Sequence, residues 1–340
     1  MSETAAQVRD VHEASEESVN EAVLQVKDLH VYYYTEAGVV KAVDGVTFDL
    51  DRGVKMGLVG ESGCGKSTLA MSLMRMIKRP GRIESGQALI NGRDDLASVS
   101  DERMRELRLR EISLIPQGAM NSLNPVMRVK DQLLDGLEDH GVKLNGREGR
   151  ERVNALLESV DLDLDVADMY PHELSGGMKQ RVCVAIAISM EPSVLLADEP
   201  TSALDVVVQR QVMATIERLQ AEMGISMILI GHDMGLMAQS VDQLAVMYAG
   251  RLAEVGDVHD IFEEPLHPYT ELLISTLPTL GRRGEFTGIP GITPALVNPP
   301  SGCLFHPRCP HAMDICSEVA PTWQEIRPDH WVACHLYGGE

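Results

Sequence analysis

Positive charge is what this sequence has least of. Against 51 Asp and Glu stand 30 Lys and Arg, for a formal net charge of −21. A general affinity for nucleic acid is therefore not expected, although a local basic patch is compatible with the balance. Lysine is scarcer than arginine, 8 against 22, and none follows Lys179; no function is read from that bias. Long apolar runs are also missing. Stretches such as VCVAIAISM reach less than half the length that spans a bilayer, so any membrane role is expected to pass through a partner. The opening MSETAAQVRDVHEASEESVNEA has neither a basic n-region nor an apolar h-region, and a cytosolic chain without a signal peptide is expected. In a reducing cytosol the six cysteines are not expected to pair as structural disulfides. What is present is 340 residues, enough for two domains or for one large α/β domain with an appendage.

The chain divides by pattern. Residues 1–22 are polar and acidic without periodic apolar positions, which predicts a flexible tail. From Val23 short β-rich runs follow, VLQVKDLHVYYY, AVDGVTFDL and KMGLVG, the last leading through a glycine-rich turn into the helix-like KSTLAMSLMRMI. SVLLADEP and SMILIGHD read as buried parallel strands whose polar residues come only at the C-terminal end, the edge where open α/β sheets gather ligands. Helical stretches between Gln117 and Ser175 predict a helical insert, set at about residues 118–185 of an α/β domain spanning 23–255. Proline and cysteine then become frequent, and residues 256–340 are read as a separate C-terminal extension.

Two motifs carry the chemistry. The stretch GESGCGKST, made of Gly60, Glu61, Ser62, Gly63, Cys64, Gly65, Lys66, Ser67 and Thr68, fits the P-loop pattern in its required place between strand and helix. Its glycines let backbone N–H groups turn around phosphate oxygens, and the following helix adds its positive end. Lys66 is positioned to reach the β- and γ-phosphates and the Ser67 hydroxyl to coordinate Mg²⁺. Cys64 is read as a small residue that fits the loop. In VLLADEP, adjacent acids at a strand end point in different directions. Asp198 is assigned to Mg²⁺ and Glu199 to polarising the attacking water as general base. Together these predict a P-loop NTPase with a RecA-like core, an antiparallel β element near the N-terminus, the helical insert and the cysteine-containing extension.

LSGGMKQR, Leu174 to Arg181, closely resembles the signature of ABC-type ATPases. The resemblance extends to Gln117 as the Q-loop glutamine and a further Mg²⁺ ligand, to SALD with Ser202 and Asp205 as the D-loop, and to His232 as the switch histidine. Leu174, Ser175, Gly176 and Gly177 would then cover ATP held by the P-loop of a partner subunit in a head-to-tail nucleotide-sandwich dimer. Among Tyr32, Tyr33 and Tyr34, the family pattern favours Tyr33 for stacking on adenine.

Three further stretches, NSLNPVMRV from Asn121, HPYTELL from His267 and the proline- and cysteine-rich end from Ile289, resemble the oligopeptide and dipeptide importer ATPases. That resemblance implies an ATPase at the cytoplasmic face of the membrane. Its partners would be a second homologous ATPase subunit, two membrane permeases and an extracytoplasmic substrate-binding protein, with NSLNPVMRV docking a permease helix and no nucleic acid involved. Nickel complexes and short oligosaccharides remain alternative cargoes, and a non-transport ABC ATPase an alternative class. Cys303, Cys309, Cys316 and Cys334 lack the tight C-x2-4-C pair usual in zinc sites. The subfamily carries this set as a [4Fe–4S] site, which is preferred here, with zinc and free thiols left as alternatives.

Overall fold

A computed structural model describes residues 22–202, 204–277 and 288–338. The segment expected to be an acidic tail therefore lies, apart from Ala22, outside the described residues. Two sheets organise the fold. The first is antiparallel, in the order Gly38–Asp51, Ala22–Thr35, Gly81–Ile90, Asp94–Asp95. The second has eight strands, in the order Gln324–Arg327, His330–Val332, Arg251–Asp257, Gln243–Tyr248, Lys55–Val59, Ser226–Ile230, Val194–Asp198, Ile112–Ile115. From Gln243–Tyr248 to Ile112–Ile115 neighbouring strands run parallel.

The parallel strands are apolar on both faces because both faces are covered. In Val194–Asp198, Leu195 and Ala197 enter the core beneath the helices, while Val194 and Leu196 enter the core shared with the antiparallel sheet. This is the period-two alternation of a strand between two hydrophobic layers. The helical insert is built from Val129–Asp139, Gly146–Ser159 and Gly176–Ile188. Its middle helix starts at a capping box: Asn145 Oδ1 accepts from the Arg147 and Glu148 amides, and Glu148 accepts from the Asn145 amide. Val153, Leu156 and Leu157 then fall on one buried face.

The end of the chain is tied to the central sheet. His330–Val332 pairs antiparallel with Arg251–Asp257, so the end of the chain widens the central sheet. Phe305, Cys303 and Cys309 join the same hydrophobic core as the helices. A fully buried carboxylate secures the join: Glu254 accepts from His330 Nε2 at 2.7 Å and from the Leu266 and His267 amides at 2.7 and 2.9 Å. A buried charge without such partners would be expelled.

Candidate functional site

Four parallel strands deliver the polar residues to one edge. Lys55–Val59 leads into the P-loop, Ser226–Ile230 into His232, Val194–Asp198 ends on Asp198 and leads into Glu199, and Ile112–Ile115 leads into Gln117. The parallel register aligns Asp198 with Ile230, so these side chains share one crevice although they are far apart in sequence.

The P-loop folds tightly against its surroundings. Gly60 has φ 149° and Gly65 φ 114°, and a Cβ on either would strike a backbone carbonyl, that of Met247 or of Ala42. Only glycine meets both demands. Helix Lys66–Leu73 begins immediately afterwards with Gly65 as its cap. Lys66 is buried, and its ammonium donates to the Gly60 and Glu61 carbonyls at 2.7 and 3.1 Å, with Cys64 Sγ at 3.7 Å. Cys64 is buried, and that burial pushes its thiol up.

Asp198 is only 4% exposed, and its Oδ1 has no hydrogen-bond partner. Burial raises its carboxyl pKa, which the nearby Ser67 hydroxyl opposes. An orphaned buried carboxylate oxygen beside a hydroxyl suits a hard cation such as Mg²⁺. Glu199 turns away from it. Its φ of 46° lies in the left-handed region, which costs a non-glycine residue about 1–2 kcal/mol, and the turn brings its carboxylate between two partners. Gln117 Nε2 donates to one oxygen at 2.9 Å, and His232 Nδ1 lies 3.4 Å from the other. His232 itself is 75% exposed in its side chain.

The signature residues form a separate surface. Ser175 caps helix Gly176–Ile188, its Oγ accepting from the Met178 amide. Leu174 is buried beneath it. A Cβ on Gly177 would press into Val208, and one on Gly176 would touch Leu204 and Met120. The signature helix thus begins against residues of the D-loop and of the segment after Gln117. Asp205 caps the helix that follows, accepting from the Val207 and Val208 amides, and the Ser202 amide donates to the Glu199 carbonyl.

The tyrosines separate by face. Tyr32 donates to Asp44 at 2.6 Å, and the Arg82 guanidinium lies over the Tyr34 ring at 4.3 Å, so both are engaged. Tyr33, between them on the strand, lies with its ring against Gly81.

Glu61, counted among the loop residues expected at ATP, has its side chain engaged elsewhere in the chain. Its carboxylate is gripped by Arg308 and Thr293, and its amide donates to the Tyr269 hydroxyl. Sequence reasoning missed these three residues, although all three sit in stretches it had singled out, Tyr269 in HPYTELL and Thr293 and Arg308 in the cysteine-rich end.

The four C-terminal cysteines lie in one neighbourhood. The Cys303 amide donates to the Cys316 carbonyl at 2.8 Å. Burial pushes the Cys303 and Cys309 thiols up and takes Cys334 to about 11, with Cys303, Cys309 and Cys316 adding to the Cys334 rise. Among the described residues no three His, Cys, Asp or Glu side chains converge on a single-ion position.

Comparison with known proteins agrees with this architecture. Residues 43–202 match the family model for ABC transporters, and residues 253–316 that for the oligopeptide/dipeptide transporter C-terminal region. The dipeptide transport ATP-binding protein DppD of Bacillus subtilis is 44% identical over 322 residues, 93% of this chain and 95% of that protein. The oligopeptide transport ATP-binding protein OppD of Escherichia coli is 44% identical over 317 residues, 92% of this chain and 93% of its own length. Among solved structures, cbiO1 of Clostridium perfringens, part of an ABC transporter complex, superposes with TM-score 0.60 at 29% identity over 72% of this chain and 92% of that one. A dimeric ATP-binding cassette holding ADP and phosphate shares the fold, with TM-score 0.62 at 23% identity over 69% of this chain and 98% of its own.

Proposed function

The chain belongs to the ATP-binding subunits of oligopeptide and dipeptide ABC transporters, and from that membership we infer that it hydrolyses ATP to drive peptide uptake. It acts as a peripheral subunit on the cytoplasmic side, and among the described residues no helix is long and apolar enough to cross a membrane. The observation that carries the reading is the Glu199 carboxylate held between Gln117 and His232 beside the orphaned Asp198.

In the proposed mechanism the loop amides and Lys66 bind the triphosphate. The Lys66 ammonium exchanges two neutral carbonyls for anionic phosphate oxygens, adding the attraction of opposite charges to bonds it already makes. Ser67, Asp198 and Gln117 would hold Mg²⁺, which would supply positive charge to the triphosphate. Glu199 accepts the proton of the attacking water as general base. Gln117 and His232 orient that carboxylate, and His232 also contacts the γ-phosphate. Tyr33 stacks on adenine. Leu174, Ser175, Gly176 and Gly177 close over ATP held by the P-loop of a second, homologous subunit, with Ser202 and Asp205 at the junction. Loss of the γ-phosphate then releases the pair and moves the permeases.

The partner set is two permeases, a substrate-binding protein and a second ATPase. The exposed Val126 within NSLNPVMRV, 79% accessible, supports docking of a permease there. Residues 23–255 are assigned to the ATPase unit, with its helical insert at about 118–185, and 256–340 to the importer-specific part. Cys303, Cys309, Cys316 and Cys334 are assigned to a [4Fe–4S] cluster. The support is that the four thiols lie in one neighbourhood and lack the tight C-x2-4-C pair usual in zinc sites. Anaerobic purification should yield about four irons and four sulfides per chain; one zinc per chain without iron contradicts the assignment. The transport reading is tested by capture of the chain from detergent-solubilised membranes. Permease partners should come with it, and stoichiometric purification with DNA instead would overturn it.

A further inference from the structure

We propose that Arg308 is a positioning residue for nucleotide binding, through which the C-terminal segment fixes the P-loop at Glu61. The pair is bidentate: Arg308 Nη1 donates to Glu61 Oε2 at 2.7 Å and Nη2 to Oε1 at 2.8 Å. Arg308 is 4% exposed in its side chain, so the contact is no surface ion pair. Its Nε donates to the Pro290 carbonyl at 2.8 Å, and Nη1 also reaches the Tyr248 hydroxyl at 3.2 Å. Thr293 donates to the same carboxylate at 2.6 Å. From another direction the Glu61 amide donates to the Tyr269 hydroxyl at 2.9 Å, and Tyr269 is fully buried. His267 caps the helix Pro268–Ser275 that carries this tyrosine. Three residues, 208, 232 and 247 positions from Glu61, therefore converge on one P-loop residue.

Two consequences follow for the loop. Its second residue is anchored by side chain and by backbone, which holds the following amides in the turn that phosphate needs. A carboxylate in an anion-binding loop also repels the triphosphate, and Arg308 both neutralises it and turns it away. The fork geometry matters, because a lysine would supply a point charge in place of two parallel bonds.

This inference rests on the reading of Gly60–Thr68 as the nucleotide loop. The experiment titrates a fluorescent ATP analogue into the full-length chain and measures ATPase KM and kcat alongside thermal melting. The parent should bind and Lys66→Ala should not; a parent that binds no nucleotide sinks the underlying reading. Given parent binding, Arg308→Met should weaken affinity by at least about 10-fold, raising KM more than it lowers kcat, and Glu61→Gln in that background should recover part of the loss by removing the stray charge. Arg327→Met, which breaks the Arg327–Glu264 pair elsewhere in the C-terminal segment, should leave affinity unchanged. Parent-like affinity in Arg308→Met, equal loss in Arg327→Met, or no recovery in the double variant would each overturn the proposal. If Arg308→Met does not fold, Arg308→Lys and Thr293→Val decide: reduced affinity in both supports it, and parent-like affinity in both overturns it.

Discussion

Glu199 and His267 show how far single residues are set by their surroundings. Glu199 occupies a left-handed backbone conformation in which its carboxylate meets Gln117 and His232. His267 is enclosed: burial lowers its pKa to about 4, against a mild opposing pull from Glu254. The sign is definite. His267 stays neutral in the folded chain while its unfolded counterpart takes up a proton near pH 6.5, so stability is full above that pH and falls as pH drops from about 6.5 to about 4. The loss is on the order of 3 kcal/mol at 1.36 kcal/mol per pH unit. Denaturation midpoints measured across this range should show the fall, and His267→Asn, which keeps a cap acceptor, should flatten it. At this scale the sequence showed Lys66, Ser67, Asp198 and Glu199, because one local motif contains each of them. The gathering of Gln117 and His232 on Glu199, 82 and 33 residues away, has no local signal; it was reached only through resemblance. The roles of Tyr269, Thr293 and Arg308 were not legible at all, since nothing near them in sequence indicates that they meet Glu61.

Among the elements, the strand Arg251–Asp257 joins the central sheet to the end of the chain. Glu254 in its middle is wholly buried and serves three donors, one of them His330 on the neighbouring strand. Glu254→Ala should strand two amides and an imidazole without partners and cost about 3–5 kcal/mol in chemical denaturation, the range for breaking a buried pair. A loss below 1 kcal/mol would show that water replaces the carboxylate. The parallel strands were readable as apolar runs with polar ends, and the insert from its helical stretches. The strands Gln324–Arg327 and His330–Val332 were not. Segments of four and three residues are too short for a period-two pattern to stand out, so their pairing with the central sheet had no local signal.

For the whole molecule, the ordered motifs conveyed the ATPase architecture because each is a local device whose position along the chain is itself informative. Assembly is less legible. The proposed closure of the signature residues over a second subunit's nucleotide involves a partner that no single chain's pattern displays. The account's central claim, that this chain drives peptide transport by hydrolysis at Glu199, is tested most directly in the complete transporter reconstituted in proteoliposomes. ATP hydrolysis there should fall by on the order of 10²-fold or more when Glu199→Gln replaces the parent, with ATP still bound and peptide uptake lost. Near-parent turnover with continued uptake would contradict it.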